Sequence, residues 1–267
     1  MLFFVDLLSQ PNVPDVSVTS IFFMETYFNI RYEFNREFIH SFIAEQLQRN
    51  VVGYICVADG NILQMVYTHS DYRQVMDGAL FSICDSSYVP VYLKWLYGIN
   101  RDQYCGSEIF MDIIRSKKYR MIFMGTSQRI LDGLKNNLMK IDPRIQDMTF
   151  LELPFCHVGD FDYKQIADVI NKDKAEIIWV ALGAPKQEYF MSNLKPYLTG
   201  GIMIAVGAAF KFFSGIDSRR APLWMIKMHL EFVYRIFSEP KKQLKRCMWI
   251  IYTLPGLLYQ EWKKKSI

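Results

Sequence analysis

Residues 176–190 read "EIIWVALGAPKQEYF", and the order of their chemistry decides the fold. The apolar run from Ile177 to Leu182 lacks the alternation of a half-buried strand and is too short for a helix. It reads as a strand buried on both faces. Gly183-Ala184-Pro185 then ends it, and Lys186-Gln187-Glu188 open what reads as a helix. Why a cation, an amide and a carboxylate follow a hydrophobic strand is the question the rest of the chain must answer.

The same unit recurs on either side. "FIHSFIAEQLQ" (38–48) has helical periodicity, and "VVGYICVA" (51–58) is an apolar strand-like run. "NILQMVYTHSDYRQVMDGAL" (61–80) reads as helical, with a short apolar step into "ICDSSYVP". "YRMIFMG" (119–125) and "MTFLELP" (148–154) read as strands, "SQRILDGLKNNLMKI" (127–141) and "YKQIADVIN" (163–171) as helices, and "GIMIAVGAAF" (201–210) as a strand ending in Gly-Ala-Ala. Apolar strands alternating with amphipathic helices predict an α/β class of Rossmann-like type, a largely parallel sheet with helices on both faces.

In such sheets ligands bind beyond the carboxyl ends of the strands. Three of these ends carry glycine: Gly125-Thr126, Gly183-Ala184-Pro185 and Gly207-Ala208. Glycine admits close approach to the backbone, and a following helix offers free N–H groups, so the pattern suits a diphosphate. Lys186 would add a charge there, with Gln187 and Glu188 available to a base, a ribose or a sugar hydroxyl. The plain alternative is a strand terminator followed by a solvated first turn.

At 267 residues the chain is long enough for a large core, and just over a fifth of it is charged. Five cysteines without a CxxC, and four histidines without ligand spacing, suggest neither a disulfide framework nor a zinc site. The cysteine pattern points to a reducing, cytoplasmic compartment, and "MLFFVDLLSQPNVPD", interrupted by Asp6 with no basic region before it, does not read as a signal peptide. Charge is uneven. From Arg219 onward eleven Lys/Arg face three Glu, which leaves −4 on the preceding 218 residues of a chain whose total is +4. The apolar segment Cys247–Tyr259 is too short to span a bilayer and holds a Pro-Gly break, read as an interruption. Trp249, Tyr252, Trp262 and Lys263, with further lysines on both flanks, give it the character of a segment lying in a membrane interface. A nucleic-acid partner for the basic end is the rival, but no helix-turn-helix, RRM or zinc signature accompanies it. A dinucleotide oxidoreductase lacks its G-x-G-x-x-G.

Three blocks in order, "WVALGAPKQEYF", "AVGAAFKFFSG" and "RRAPLWM…LEFVYRIFSEPKKQLKR", resemble the WecG/TagA/CpsF glycosyltransferases, over roughly Val51 to Arg246. The resemblance implies metal-independent, inverting transfer of a sugar, often N-acetylmannosamine, from a UDP-sugar to a polyprenyl-diphosphate-linked saccharide for capsule, teichoic acid or common antigen. It implies no cofactor beyond the UDP-sugar substrate, and a place at the inner face of the cell membrane. Residues 1–218 would form the catalytic domain and 219–267 a basic helical appendage, whose Arg219, Arg220, Arg235, Lys242 and Lys245 would meet the acceptor diphosphate together with Asn61. Asp85 falls on the family's acidic position and is the candidate base, with Asp59 as runner-up. Ser86 and Cys84 replace the family's Gly and Pro around it, and Cys56-Val57-Ala58 stand where a Thr-x-Asn is usual, which keeps a non-catalytic scaffold of the same fold as an alternative. Asp85 also suits a cap of the next helix. Asp160 and Asp162 form a D-x-D that in other transferases holds a metal, yet Asp162 is equally placed to cap a helix. The sequence leaves a homo-oligomer open.

Overall fold

A computed structural model describes residues 24–216 and 240–265. Eight strands form one mixed sheet: β1 (Glu25–Tyr27), β2 (Ile30–Glu33), β3 (Gly53–Ala58), β4 (Phe81–Cys84), β5 (Met121–Gly125), β6 (Thr149–Leu151), β7 (Ile177–Ala181) and β8 (Ile202–Ala205). Their order is β1-β2-β4-β3-β8-β7-β5-β6, and every pairing is parallel except the β1–β2 hairpin.

Successive residues of the inner strands point to opposite faces, and both faces are covered. Ile178 and Val180 join one core with Cys56, Tyr72 and Phe190; Ile177, Trp179 and Ala181 join the other with Phe110, Phe123 and Phe210. The first core is roofed by α2 (Gly60–Thr68), α3 (Ser70–Asp77), α4 (Val89–Tyr97), α7 (Tyr163–Asp173) and α8 (Lys186–Leu194). The second is roofed by α1 (Arg36–Gln48), α5 (Gly106–Ser116), α6 (Gln128–Leu138) and α9 (Ala209–Ser214). The continuous apolar run of the quoted strand is thus explained by two cores rather than one.

Three local features differ from the sequence reading. The helix expected over 61–80 is broken at His69, whose extended backbone (φ −128°, ψ 110°) separates α2 from α3, and the short apolar step after it is strand β4. The hairpin and α5 had no counterpart in the reading. The Pro-Gly break does not interrupt the closing segment: a single helix, α10, runs from Pro240 to Lys265 through Pro255. Proline removes one helical hydrogen bond, but the carbonyl it orphans belongs to Ile251 on the exposed side, where water can reach it. Gly256 serves the opposite side. A Cβ there would lie 2.4 Å from the Tyr67 hydroxyl, so the missing side chain lets α10 lie close on α2. The far end of α10 is held by Tyr97, whose hydroxyl donates to Glu261 Oε1 at 2.9 Å, and by Lys264, which donates to Asn29 Oδ1 at 2.6 Å.

Candidate functional site at the carboxyl edge of the sheet

Because β3, β4, β5, β7 and β8 run parallel, the ends singled out above share one edge. The register Ala58↔Cys84 sets Asp59 and Asp85 side by side, and the Asp85 N–H donates to the Ala58 carbonyl at 3.0 Å. The neighbouring strands β3 and β8 send their helices to opposite faces, α2 to one core and α9 to the other. A crevice opens between strands whose connections part in this way, the usual ligand position in such sheets.

The two aspartates are held differently. Asp59 is the N-cap of α2, and its Oδ1 accepts from the N–H groups of Asn61 and Ile62 at 2.9 and 3.0 Å. Asp85 does not cap the helix that follows it; the N-cap of α4 is Tyr88, with no side-chain cap bond. Its Oδ1 instead accepts from the Gly106 N–H at the start of α5 (3.1 Å), and its carbonyl accepts from Gln103 Nε2 (2.7 Å). Residues 103–106 therefore clamp Asp85 from a segment about twenty positions away. The sequence reading missed them. The glycine that opens the amphipathic run at 106, with Glu108 reaching back to the Cys105 N–H (2.9 Å), was the signal available.

The glycines have unlike roles. Gly183 is left-handed (φ +77°) and a Cβ on it would meet nothing within 4 Å, so the turn faces open space. At Gly207 (φ +49°) the nearest atoms would be those of the Gln187 carboxamide, at 3.8 and 4.0 Å. Gly125 (φ +106°) is required by its neighbour: a Cβ would stand 2.6 Å from the Ala181 carbonyl oxygen. Thr126 beside it has φ +56°, an unusual conformation for a β-branched residue and one that clusters at functional sites. Ala208 precedes α9 as its N-cap, and the Ala184–Pro185 peptide is cis.

Gln187 ties the turn together. Its Oε1 accepts from the Gly183 N–H at 3.0 Å, and its Nε2 donates to Glu188 Oε1 at 2.8 Å. Glu188 is not on a solvated first turn; it is 0% exposed and lies beside the buried Tyr72 hydroxyl. Burial pushes its carboxyl up to about 7, with the charge of Asp59 acting in the same direction and the Gln187 bond against it. Lys186 leans away from the crevice. Its Nζ donates to the Cys156 carbonyl and lies 4.9 Å from the Phe161 ring centroid. Asn61, one residue into α2, donates through Nδ2 to Met65 Sδ at 3.6 Å.

The structure thus gathers Asp59, Asp85, Gly183 and Gly207 at one part of the edge, with Gln187 and Glu188 buried beneath it, and sets Gly125 and Thr126 farther along. Asp162 caps α7, accepting from the Gln165 N–H at 2.9 Å, and no group of three or more potential metal-ligating residues occurs among the described residues. Arg219, Arg220 and Arg235 lie outside the described residues, as do the side chains of Lys242 and Lys245.

A second surface faces outward. Inward positions of α10 are Thr253, Leu257 and Glu261; outward are Met248, Trp249, Ile251, Tyr252 (80% exposed), Tyr259 and Trp262, with exposed Lys263 at the end. Trp95 of α4, 72% exposed, continues this apolar stripe across a groove lined also by Pro255, Leu258 and Lys265. No helix among the described residues is long and apolar enough to cross a membrane.

Comparison with known proteins adds a family and its relatives. The model of the "Glycosyl transferase WecG/TagA/CpsF family" matches residues 28–267. A Bacillus subtilis protein named N-acetylglucosaminyldiphosphoundecaprenol N-acetyl-beta-D-mannosaminyltransferase is 25% identical over 247 residues, 91% of this chain and 94% of its own. Proteins of the same name from Bacillus spizizenii (25% identical, 73% of this chain and 75% of the relative) and Staphylococcus aureus (23%, 77% and 79%) are also similar.

Proposed function

This chain belongs to the WecG/TagA/CpsF glycosyltransferase family, and from that premise we propose that it moves an N-acetylhexosamine, such as N-acetylmannosamine, from its UDP ester to a saccharide carried on polyprenyl diphosphate. The names of its relatives support a polyprenyl-linked acceptor and a role in building a cell-surface polymer.

Inverting transfer is a single in-line displacement. An acceptor hydroxyl oxygen attacks the anomeric carbon, its proton passes to a carboxylate, and the bond to the donor diphosphate breaks. In this reading Asp85 takes the proton. The observation that carries the assignment is placement: Asp85 follows β4 beside Asp59, the cap of α2, and its Oδ1 is oriented by the Gly106 N–H from a distant segment. The leaving UDP would be met at the open Gly183 turn and Gly207, where the α8 N-terminus favours negative charge. Lys186 stands at the same helix start. The outward stripe of α10 with its terminal lysines suits a bilayer surface, where the lipid acceptor resides.

Asp85→Asn tests the assignment. General-base catalysis contributes roughly 10²–10⁴ in rate, so transfer should fall by that factor while UDP still binds. Full activity in the variant would move the base elsewhere.

A further inference from the structure

The loop after β6, Glu152-Leu153-Pro154-Phe155-Cys156-His157, holds a side chain that the fold does not use. Phe155 is 105% exposed, although Leu153 before it and Phe161 after it are buried. A lone phenyl ring standing wholly in water contributes nothing to the core. The cation facing it among the described residues is Lys186, whose Nζ lies 5.4 Å from the ring centroid and also donates to the Cys156 carbonyl.

That lysine opens α8 directly after the Gly183 turn, so the ring stands beside the site proposed for the donor diphosphate. The strands that end along this edge run β4, β3, β8, β7, β5, β6. Neighbours lie about 4.8 Å apart, which places the β6 loop roughly 14 Å from the end of β8. A nucleoside diphosphate sugar laid along the edge would have its sugar by the aspartates, its phosphates at Gly207 and Gly183, and its base at this loop.

We propose that Phe155 is the platform on which the donor's nucleobase stacks. The inference rests on the donor-site reading above. An exposed aromatic face accepts any base, because every base has a π-face. Phe155 therefore supplies affinity for a nucleotide, and the choice of uracil must come from hydrogen bonds elsewhere.

Calorimetry of the full chain with UDP and with inorganic pyrophosphate provides the test, backed by the fluorescence of Phe155→Trp. Phe155→Ala should weaken UDP binding by roughly 5- to 150-fold, the range that base–aromatic stacking provides, and leave pyrophosphate binding unchanged. Phe155→Trp should restore UDP binding, its added fluorescence quenched by UDP and by uridine but not by pyrophosphate. Wild-type affinity for UDP in Phe155→Ala overturns the platform and leaves the donor site standing. Equal loss of UDP and pyrophosphate also overturns it, since the ring would then act through Lys186. A fall in mass by light scattering in Phe155→Ala, with UDP affinity intact, would make the ring a contact between copies of the chain instead. Absence of UDP binding in the wild type overturns the donor site itself.

Discussion

Glu188 gives the sharpest prediction because its environment has a sign and a size. The carboxyl is fully enclosed and accepts from Gln187, with the Tyr72 hydroxyl beside it. Burial raises it from 4.5 to about 7. As pH rises from about 4.5 to about 7 the unfolded chain has released this proton while the folded chain still holds it, so stability falls with pH over that window. A gap of about 2.5 between the two values, at about 1.4 kcal/mol each, amounts to about 3 kcal/mol lost by pH 8. Glu188→Gln keeps an oxygen for the Gln187 donor and removes the charge. It should match the wild type near pH 4.5 and exceed it by up to about 3 kcal/mol at pH 8. Urea unfolding followed by tryptophan fluorescence reads this as a midpoint difference of roughly 1 M that appears only at the higher pH. Other titrating groups cancel in the comparison of the two proteins. Parallel pH dependence in wild type and variant would refute the reasoning and mean that Glu188 is solvated or charged in the folded state.

The glycines should separate stability from binding. Gly125→Ala drives a Cβ into the Ala181 carbonyl and should cost more than about 2 kcal/mol in chemical unfolding, whereas Gly183→Ala meets open space, costs about 1 kcal/mol for its left-handed backbone, and should lower UDP affinity. Equal effects on melting would show that both turns are merely structural. For the outward stripe, Tyr252→Glu combined with Trp262→Ala should release the protein from phosphatidylglycerol vesicles in co-sedimentation, and unchanged binding would put the lipid contact on another face. EDTA should leave the transfer rate unaltered, since Asp162 is engaged as a cap; inhibition reversed by manganese would instead give the Asp160/Asp162 pair a ligand role.

The strand ends were legible because a doubly buried parallel strand needs a continuous apolar run, and Ile177–Ala181 can be little else. Aspartate roles were not legible. Asp59 and Asp85 both precede helical periodicity, and each looks like a cap until a register pairs their strands and a distant segment claims one of them. Only tertiary structure brings Gly106 to Asp85. Glu188 shows the same limit: a carboxylate two residues into a helix is usually solvated, and its burial follows from α8 lying against Tyr72 on α3, which periodicity over nine residues does not reveal. Pro255-Gly256 misled for the opposite reason. Both residues break helices on average, but here one faces water and the other is needed for contact with Tyr67.

The path of α10 links the two surfaces. A Cβ at Gly60, the first residue of α2, would touch Ile250 Cδ1 at 3.4 Å, and one at Gly256 would meet Tyr67, the eighth residue of α2. Six residues along α10 therefore match seven along α2 in the same direction, so the two helices lie side by side and both lead away from the carboxyl edge. Everything in α10 before Ile250 must then extend past that edge. Ten residues of helix reach about 15 Å, and this stretch of backbone carries Lys241, Lys242, Lys245 and Arg246. That backbone stands on the side of the sheet where Asp59 and Asp85 follow their strands, while the apolar positions Ile251, Tyr252, Tyr259 and Trp262 follow along the same helix. One continuous helix thus runs from beyond the carboxyl edge to an apolar outward flank. Under the proposed function, that path would bring the outward flank to the bilayer and the helix start to the acceptor side of the sheet edge.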